Sequence, residues 1–121
     1  MTAEELVARA EAAAANAYAP YSGYHVGATV LTKDGRLYDG VNVENAAYPL
    51  TLCAEKTAIA RAASDGLRPG ELEAIGITAS PCGGCRQWLY EFRLERVWYR
   101  NAAGEIVETT PAALLPDIWE L

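Results

Sequence analysis

Cys82 and Cys85 stand three residues apart in Ser80-Pro81-Cys82-Gly83-Gly84-Cys85, and the remaining cysteine opens the segment Cys53-Ala54-Glu55. No other feature restricts the possible folds as much. The Cys-x-x-Cys spacing lets two thiolates reach one ion, and Cys53 supplies a third if the two segments meet. Three cysteines cannot all pair within one chain, so the pattern favours a metal over disulfides. A closed structural zinc site needs four protein ligands. Three thiolates with a carboxylate close by, Glu55, describe an open catalytic site better. The single histidine, His25, is the one histidine that could complete a closed site, and a purely structural zinc module would leave Glu55 without a task.

Helix signals surround the cysteines. Ser80 is a good N-cap and Pro81 a good first helical residue, which places Cys82 at the second helical position. Thr51 is the matching N-cap candidate upstream and places Cys53 at the second position of its own helix. All three sulfurs are then expected in the first turns of two helices, where the dipole and free N–H groups favour thiolates. Cys82 and Cys85, at i and i+3, share a face.

The rest of the chain supplies a frame. Residues 2–17 read as an amphipathic helix with a Thr2/Glu5 capping box, ended by Pro20. Residues 24–32 alternate as a strand, and Lys33-Asp34-Gly35 turns the chain back into a second strand over 36–43. On the first strand Tyr24 and Val26 point one way and His25 the other, so that if Tyr24 faces a ligand His25 turns away from it. Asn42 and Glu44 share a face at the end of the second strand, an amide and a carboxylate suited to bonding a hydroxyl. An alanine-rich helix spans 52–64 and ends at Gly66. A third strand over 73–78 leads into a helix over 81–92. Strands over 96–100 and 105–109 come next, and a short helix over 111–115 stops at Pro116. This order predicts one α/β domain over 1–121, a three-layer α/β/α sandwich with a mixed five-stranded sheet.

Charge and hydropathy exclude several classes. A net charge of −6 disfavours nucleic-acid binding, because phosphates need a basic surface. No apolar run is long enough to cross a bilayer and no secretory leader is visible, so no membrane partner is expected. Unpaired cysteines of this kind suit a reducing cytoplasm.

Beyond the cysteine segments, the chain carries Ala19-Pro20-Tyr21-Ser22-Gly23-Tyr24-His25-Val26-Gly27-Ala28, Asn42-Val43-Glu44-Asn45-Ala46-Ala47-Tyr48-Pro49-Leu50, Cys85-Arg86-Gln87 and Leu114-Leu115-Pro116. With these in order, the whole chain resembles the small homotetrameric zinc-dependent cytidine deaminases. The resemblance implies one Zn2+ per chain on Cys53, Cys82 and Cys85. It implies hydrolytic deamination of cytidine and deoxycytidine in pyrimidine salvage, with Glu55 carrying protons from the activated water to ring N3 and then to the departing amine. It implies that Tyr24, where the family usually has phenylalanine, packs on the pyrimidine, and that Asn42 and Glu44 hold the sugar 3′-OH. Asn45, Tyr48 and Ala54 are further expected substrate contacts, Tyr48 reaching towards a neighbouring subunit. Trp119 stands at the spacing of a phenylalanine that in the family stacks into another subunit's pocket, and it either takes that role or anchors the terminus. Lys56 stands where arginine usually offsets the thiolate charge. The substitutions at Tyr24 and Lys56 leave open a related aminohydrolase acting on a modified pyrimidine nucleoside or a cytosine-type antibiotic.

Overall fold

The computed structural model describes residues 1–121. The first helix, α1 (Ala3–Ala13), starts on the expected capping box: the Thr2 hydroxyl accepts the Glu5 N–H at 3.1 Å and the Glu5 carboxylate accepts the Thr2 N–H at 3.2 Å. A turn of 3-10 helix over Ala14–Asn16 comes next. Strands β1 (Gly27–Thr32) and β2 (Leu37–Val41) form the hairpin. Then come α2 (Ala54–Ser64), β3 (Leu72–Ile77), α3 (Gly83–Glu91), β4 (Arg96–Arg100), β5 (Ile106–Thr109) and the short α4 (Pro111–Leu114).

The five strands make one mixed sheet in the order β2-β1-β3-β4-β5. β3 and β4 run parallel, joined through α3, and the other neighbours are antiparallel. Because β1 lies inside the sheet and both faces are covered, all six of its residues are buried. Leu6 and Val7 of α1 pack with Leu31, Ala74 and Trp98 on one face. Ala58 and Ile59 of α2 and Leu89 of α3 pack with Val30, Ile75, Ile77 and Val97 on the other. This is the expected three-layer α/β/α arrangement. Fully buried side chains such as Leu6, Ile59 and Ile75 each contribute roughly 1.5–3 kcal/mol of burial.

Two glycines let the layers close. A Cβ at Gly27 would stand 1.9 Å from the Ala10 carbonyl oxygen of α1, and one at Gly40 would stand 2.3 Å from the Ala58 nitrogen of α2. Helix backbone therefore lies directly on strand backbone on both faces, which only a residue without a side chain permits.

Among the boundaries that differ from the sequence reading, three bear on the site, and two of them fall at the cysteines. Cys53 and Cys82 are themselves the N-cap residues, with extended backbone at φ −77°, ψ 155° and φ −69°, ψ 169°, and neither is a second helical residue. The hydroxyls expected to cap are used elsewhere: Thr51 accepts the Asn45 N–H at 3.2 Å, and Ser80 accepts from Arg86 at 3.4 Å. Residues 24–26 also lie outside β1. The Asn42 side chain bonds this backbone in place of a full strand ladder, its Oδ1 accepting the Val26 N–H and its Nδ2 donating to the Tyr24 carbonyl, both at 2.8 Å.

Gly40→Ala is expected to lower stability by about 1–3 kcal/mol through overpacking against α2. Gly35→Ala, in a turn at φ +91° with open space around it, is expected to cost less. Urea unfolding at fixed protein concentration checks this, and equal midpoints for the two variants would contradict it.

Candidate active site

The parallel pairing of β3 with β4 and the packing of α2 beside α3 bring two helix N-termini together at one end of the sheet. Each N-terminus begins at a cysteine. The sulfurs of Cys53, Cys82 and Cys85 all lie within 4.8 Å of one another, and those of Cys53 and Cys82 are 3.8 Å apart. A tetrahedral ion with Zn–S bonds of about 2.3 Å has edges of about 3.8 Å, so the spacing fits zinc. Cys85 is fully buried, Cys53 half-buried and Cys82 exposed, which leaves one side of the cluster open. His25 is exposed and is not part of this group.

No side chain caps either helix, so the first-turn N–H groups face the sulfurs' end of each helix. The sulfurs also act on one another. Hydrogen bonding from Cys85, helped by Cys82 and by the Lys56 charge against the cost of burial, pulls the Cys53 thiol down to about 6. The same bond and burial push Cys85 up. Lys56 lies across the first turn of α3, its Nζ 3.4 Å from where a Cβ on Gly84 would stand.

Glu55 follows Ala54 in the first turn of α2 and is 3 % exposed. Burial pushes its carboxyl up to about 7; the Cys53 thiolate adds to this, while the Cys85 thiol and Lys56 act against it. A carboxyl with raised pKa beside a metal-ligand cluster is suited to giving and taking protons near neutral pH.

Cys53, Cys82 and Glu55 line a cavity of about 500 Å3. Tyr24, Asn42, Glu44, Tyr48 and Ala54 line it too, as the resemblance implies. The Glu44 carboxylate is held by the 21–22 loop. Its Oε1 accepts the Tyr21 and Ser22 N–H groups at 3.0 and 3.1 Å, and its Oε2 accepts the Ser22 hydroxyl. The hydrogen bond from Ser22 is the main reason its carboxyl lies below the ordinary glutamate value.

Two further expected contacts, Asn45 and Trp119, the second of them expected at a neighbouring subunit's pocket, lie outside this lining. Asn45 folds into its own turn, its Oδ1 accepting the Ala47 N–H at 2.9 Å, so it does not line the wall. Trp119 is 69 % exposed and rests beside Tyr90, Glu91 and Arg93, its carbonyl accepting from Gln87 at 3.0 Å. Cys85 and Lys56 lie behind the wall rather than in it.

The sequence reading missed Thr78, Ala79, Arg100, Asn101 and Ala102, which form a further part of the lining. They lie at or just beyond the carboxyl ends of β3 and β4, where ligands gather in open α/β sheets. A predicted parallel β3-α3-β4 unit was the available signal. Arg86 supports the second cysteine segment from behind: it donates to the Pro81 carbonyl and to the Leu114 carbonyl, both at 2.9 Å, and so ties the approach to Cys82 to the end of α4.

Comparison with known proteins agrees with this geometry. Residues 1–101 match the cytidine and deoxycytidylate deaminase zinc-binding region. The chain belongs to the cytidine deaminase family. Cytidine deaminase from Sporosarcina psychrophila is 45 % identical across 96 % of this chain and 90 % of its own length. That from Halalkalibacterium halodurans is 42 % identical across 96 % and 92 %. The crystal structure of cytidine deaminase from Burkholderia pseudomallei superposes with a TM-score of 0.92 at 43 % identity, covering 98 % of this chain and all of that one. The family's zinc-binding region and the three clustered thiols identify the cofactor as zinc.

Metal analysis of the purified protein is expected to find about one zinc per chain, and Cys85→Ser, which replaces the buried sulfur, to fall well below that. Full zinc content in Cys85→Ser would contradict the ligand set.

Proposed function

We propose that this enzyme hydrolyses cytidine and deoxycytidine to uridine and deoxyuridine. Water replaces the amino group at C4 of the pyrimidine, and that group leaves as ammonia. The observation that carries the reading is the buried Glu55 carboxylate beside three clustered thiols, in one cavity with Tyr24, Asn42 and Glu44. Zinc held by Cys53, Cys82 and Cys85 supplies Lewis-acid activation of water at neutral pH.

The remaining work falls to the protein's own side chains. Glu55 takes one proton from the attacking water and delivers it to ring N3, then takes the remaining proton from the new C4 hydroxyl and gives it to the departing amine, so that the C4–N bond breaks and the C4 carbonyl forms. Its burial keeps the carboxyl near neutrality, where both transfers are accessible. The Tyr24 ring packs on the pyrimidine face. Glu44 accepts from the sugar 3′-OH. Asn42 holds that wall in place through the backbone at Tyr24 and Val26, and the second N–H of its amide is left for the same sugar hydroxyl. Ala54 and Tyr48 close the cavity around the base. Lys56 offsets part of the negative charge of the thiolates as a point charge, where arginine would do so with a fork.

We further propose a cytoplasmic homotetramer working in pyrimidine salvage. Tyr24, Tyr48 and Leu52 line the cavity yet stay largely exposed, and Trp119, Trp88 and Leu50 add further uncovered apolar surface, which supports burial between copies. In that assembly Trp119 reaches a neighbouring chain's cavity. The modified-pyrimidine reading raised by Tyr24 and Lys56 gains no support, since the relatives compared are cytidine deaminases.

The zinc-loaded protein is expected to convert cytidine to uridine, followed by absorbance. Glu55→Gln is expected to keep zinc and fold while losing about 10²- to 10⁴-fold in kcat. Undiminished turnover in that variant would remove Glu55 from the chemistry.

A further inference from the structure

Ser22 lines the cavity as well as holding the Glu44 carboxylate. Its hydroxyl makes two bonds at once. It accepts the Tyr24 N–H at 3.0 Å and donates to Glu44 Oε2. Its own backbone N–H goes to Glu44 Oε1 at 3.1 Å. The next residue, Gly23, takes φ +70°, which bends the chain so that the Tyr24 N–H turns back onto the Ser22 hydroxyl. The Tyr24 carbonyl, for its part, accepts from Asn42 at 2.8 Å. Both backbone polar groups of Tyr24 are therefore fixed by the pair Asn42 and Glu44, the first directly and the second through Ser22.

We propose that Ser22 is a positioning residue that couples sugar recognition at Glu44 to the placement of the Tyr24 ring. The inference deepens the cytidine reading and rests on it. A sugar hydroxyl arriving at Glu44 meets a carboxylate whose orientation is set by three donors, two of them from Ser22. The Ser22 hydroxyl fixes the carboxylate's second oxygen and, through the Tyr24 N–H, the base of the aromatic wall. Removing it frees both contacts together and leaves Glu55 and the cysteines untouched, so binding suffers and chemistry does not.

The test measures kcat and KM of the zinc-loaded wild type, Ser22→Ala and Ser22→Thr on cytidine and on 3′-deoxycytidine. Ser22→Ala is expected to raise KM for cytidine about tenfold, the loss of one charge-assisted hydrogen bond, with kcat held within about twofold. Ser22→Thr, which keeps the hydroxyl, is expected to restore most of the KM. On 3′-deoxycytidine the penalty is expected to shrink to about threefold or less, because no 3′-hydroxyl remains for Glu44 to receive. An unchanged KM in Ser22→Ala, an equal penalty on both substrates, or a loss confined to kcat would each overturn the proposal. If Ser22→Ala does not fold, Ser22→Cys gives the same split in smaller measure, and an unchanged KM in that variant overturns it. A wild type that does not turn over cytidine overturns the functional reading and this inference with it, an outcome distinct from a variant that matches an active wild type.

Discussion

Two helices have to begin within a few ångströms of each other for this site to exist. α2 comes after the hairpin and α3 after β3, so their starts are 29 residues apart in the chain, at Cys53 and Cys82. What joins them is the sheet. β3 ends beside β1, the pairing of β3 with β4 returns α3 to the face that α2 already covers, and Gly40 allows α2 to lie against β2 with backbone touching backbone. The three sulfurs then meet within 4.8 Å because the layers are packed closely, without a dedicated loop to carry them.

The site's electrostatics arise from that meeting. Three thiolates and a carboxylate in one small, partly buried volume repel one another, and each resists ionisation in an apolar setting. Opposing this are the two uncapped helix N-termini, the Lys56 ammonium and the cation that the sulfurs are spaced to hold. The balance differs among the acids. Cys53 is drawn down by its neighbours, while Glu55, more deeply buried, is pushed up towards neutrality. That contrast separates a ligand from a proton carrier within three consecutive residues, as catalysis at neutral pH requires.

Much of this was legible in the chain. Periodicity and turn chemistry located every strand and every major helix, because those signals are local: the Thr2/Glu5 box, the Lys33-Asp34-Gly35 turn and the Gly66 stop all act over a few residues. The helix starts at the cysteines were placed two residues early. Thr51 and Ser80 are good caps by type, yet their hydroxyls are engaged by Asn45 and Arg86, and partner competition of that kind is invisible in a linear reading. The first strand was drawn too long at 24–26 because the side chain of Asn42 satisfies that backbone in a way alternation does not reveal. Thr78 and Arg100 were missed as cavity residues because their adjacency depends on parallel pairing across a whole helix. Asn45, a contact that the resemblance implies, sits one residue beyond Glu44 in a turn where its Oδ1 accepts the Ala47 N–H.

Three sulfurs at two helix starts are proposed to form an open zinc site. X-ray absorption at the zinc edge of the purified protein tests it most directly. Three sulfur neighbours at about 2.3 Å and one lighter oxygen or nitrogen neighbour at about 2.0 Å are expected. Four sulfur neighbours, or a first shell without sulfur, would contradict it.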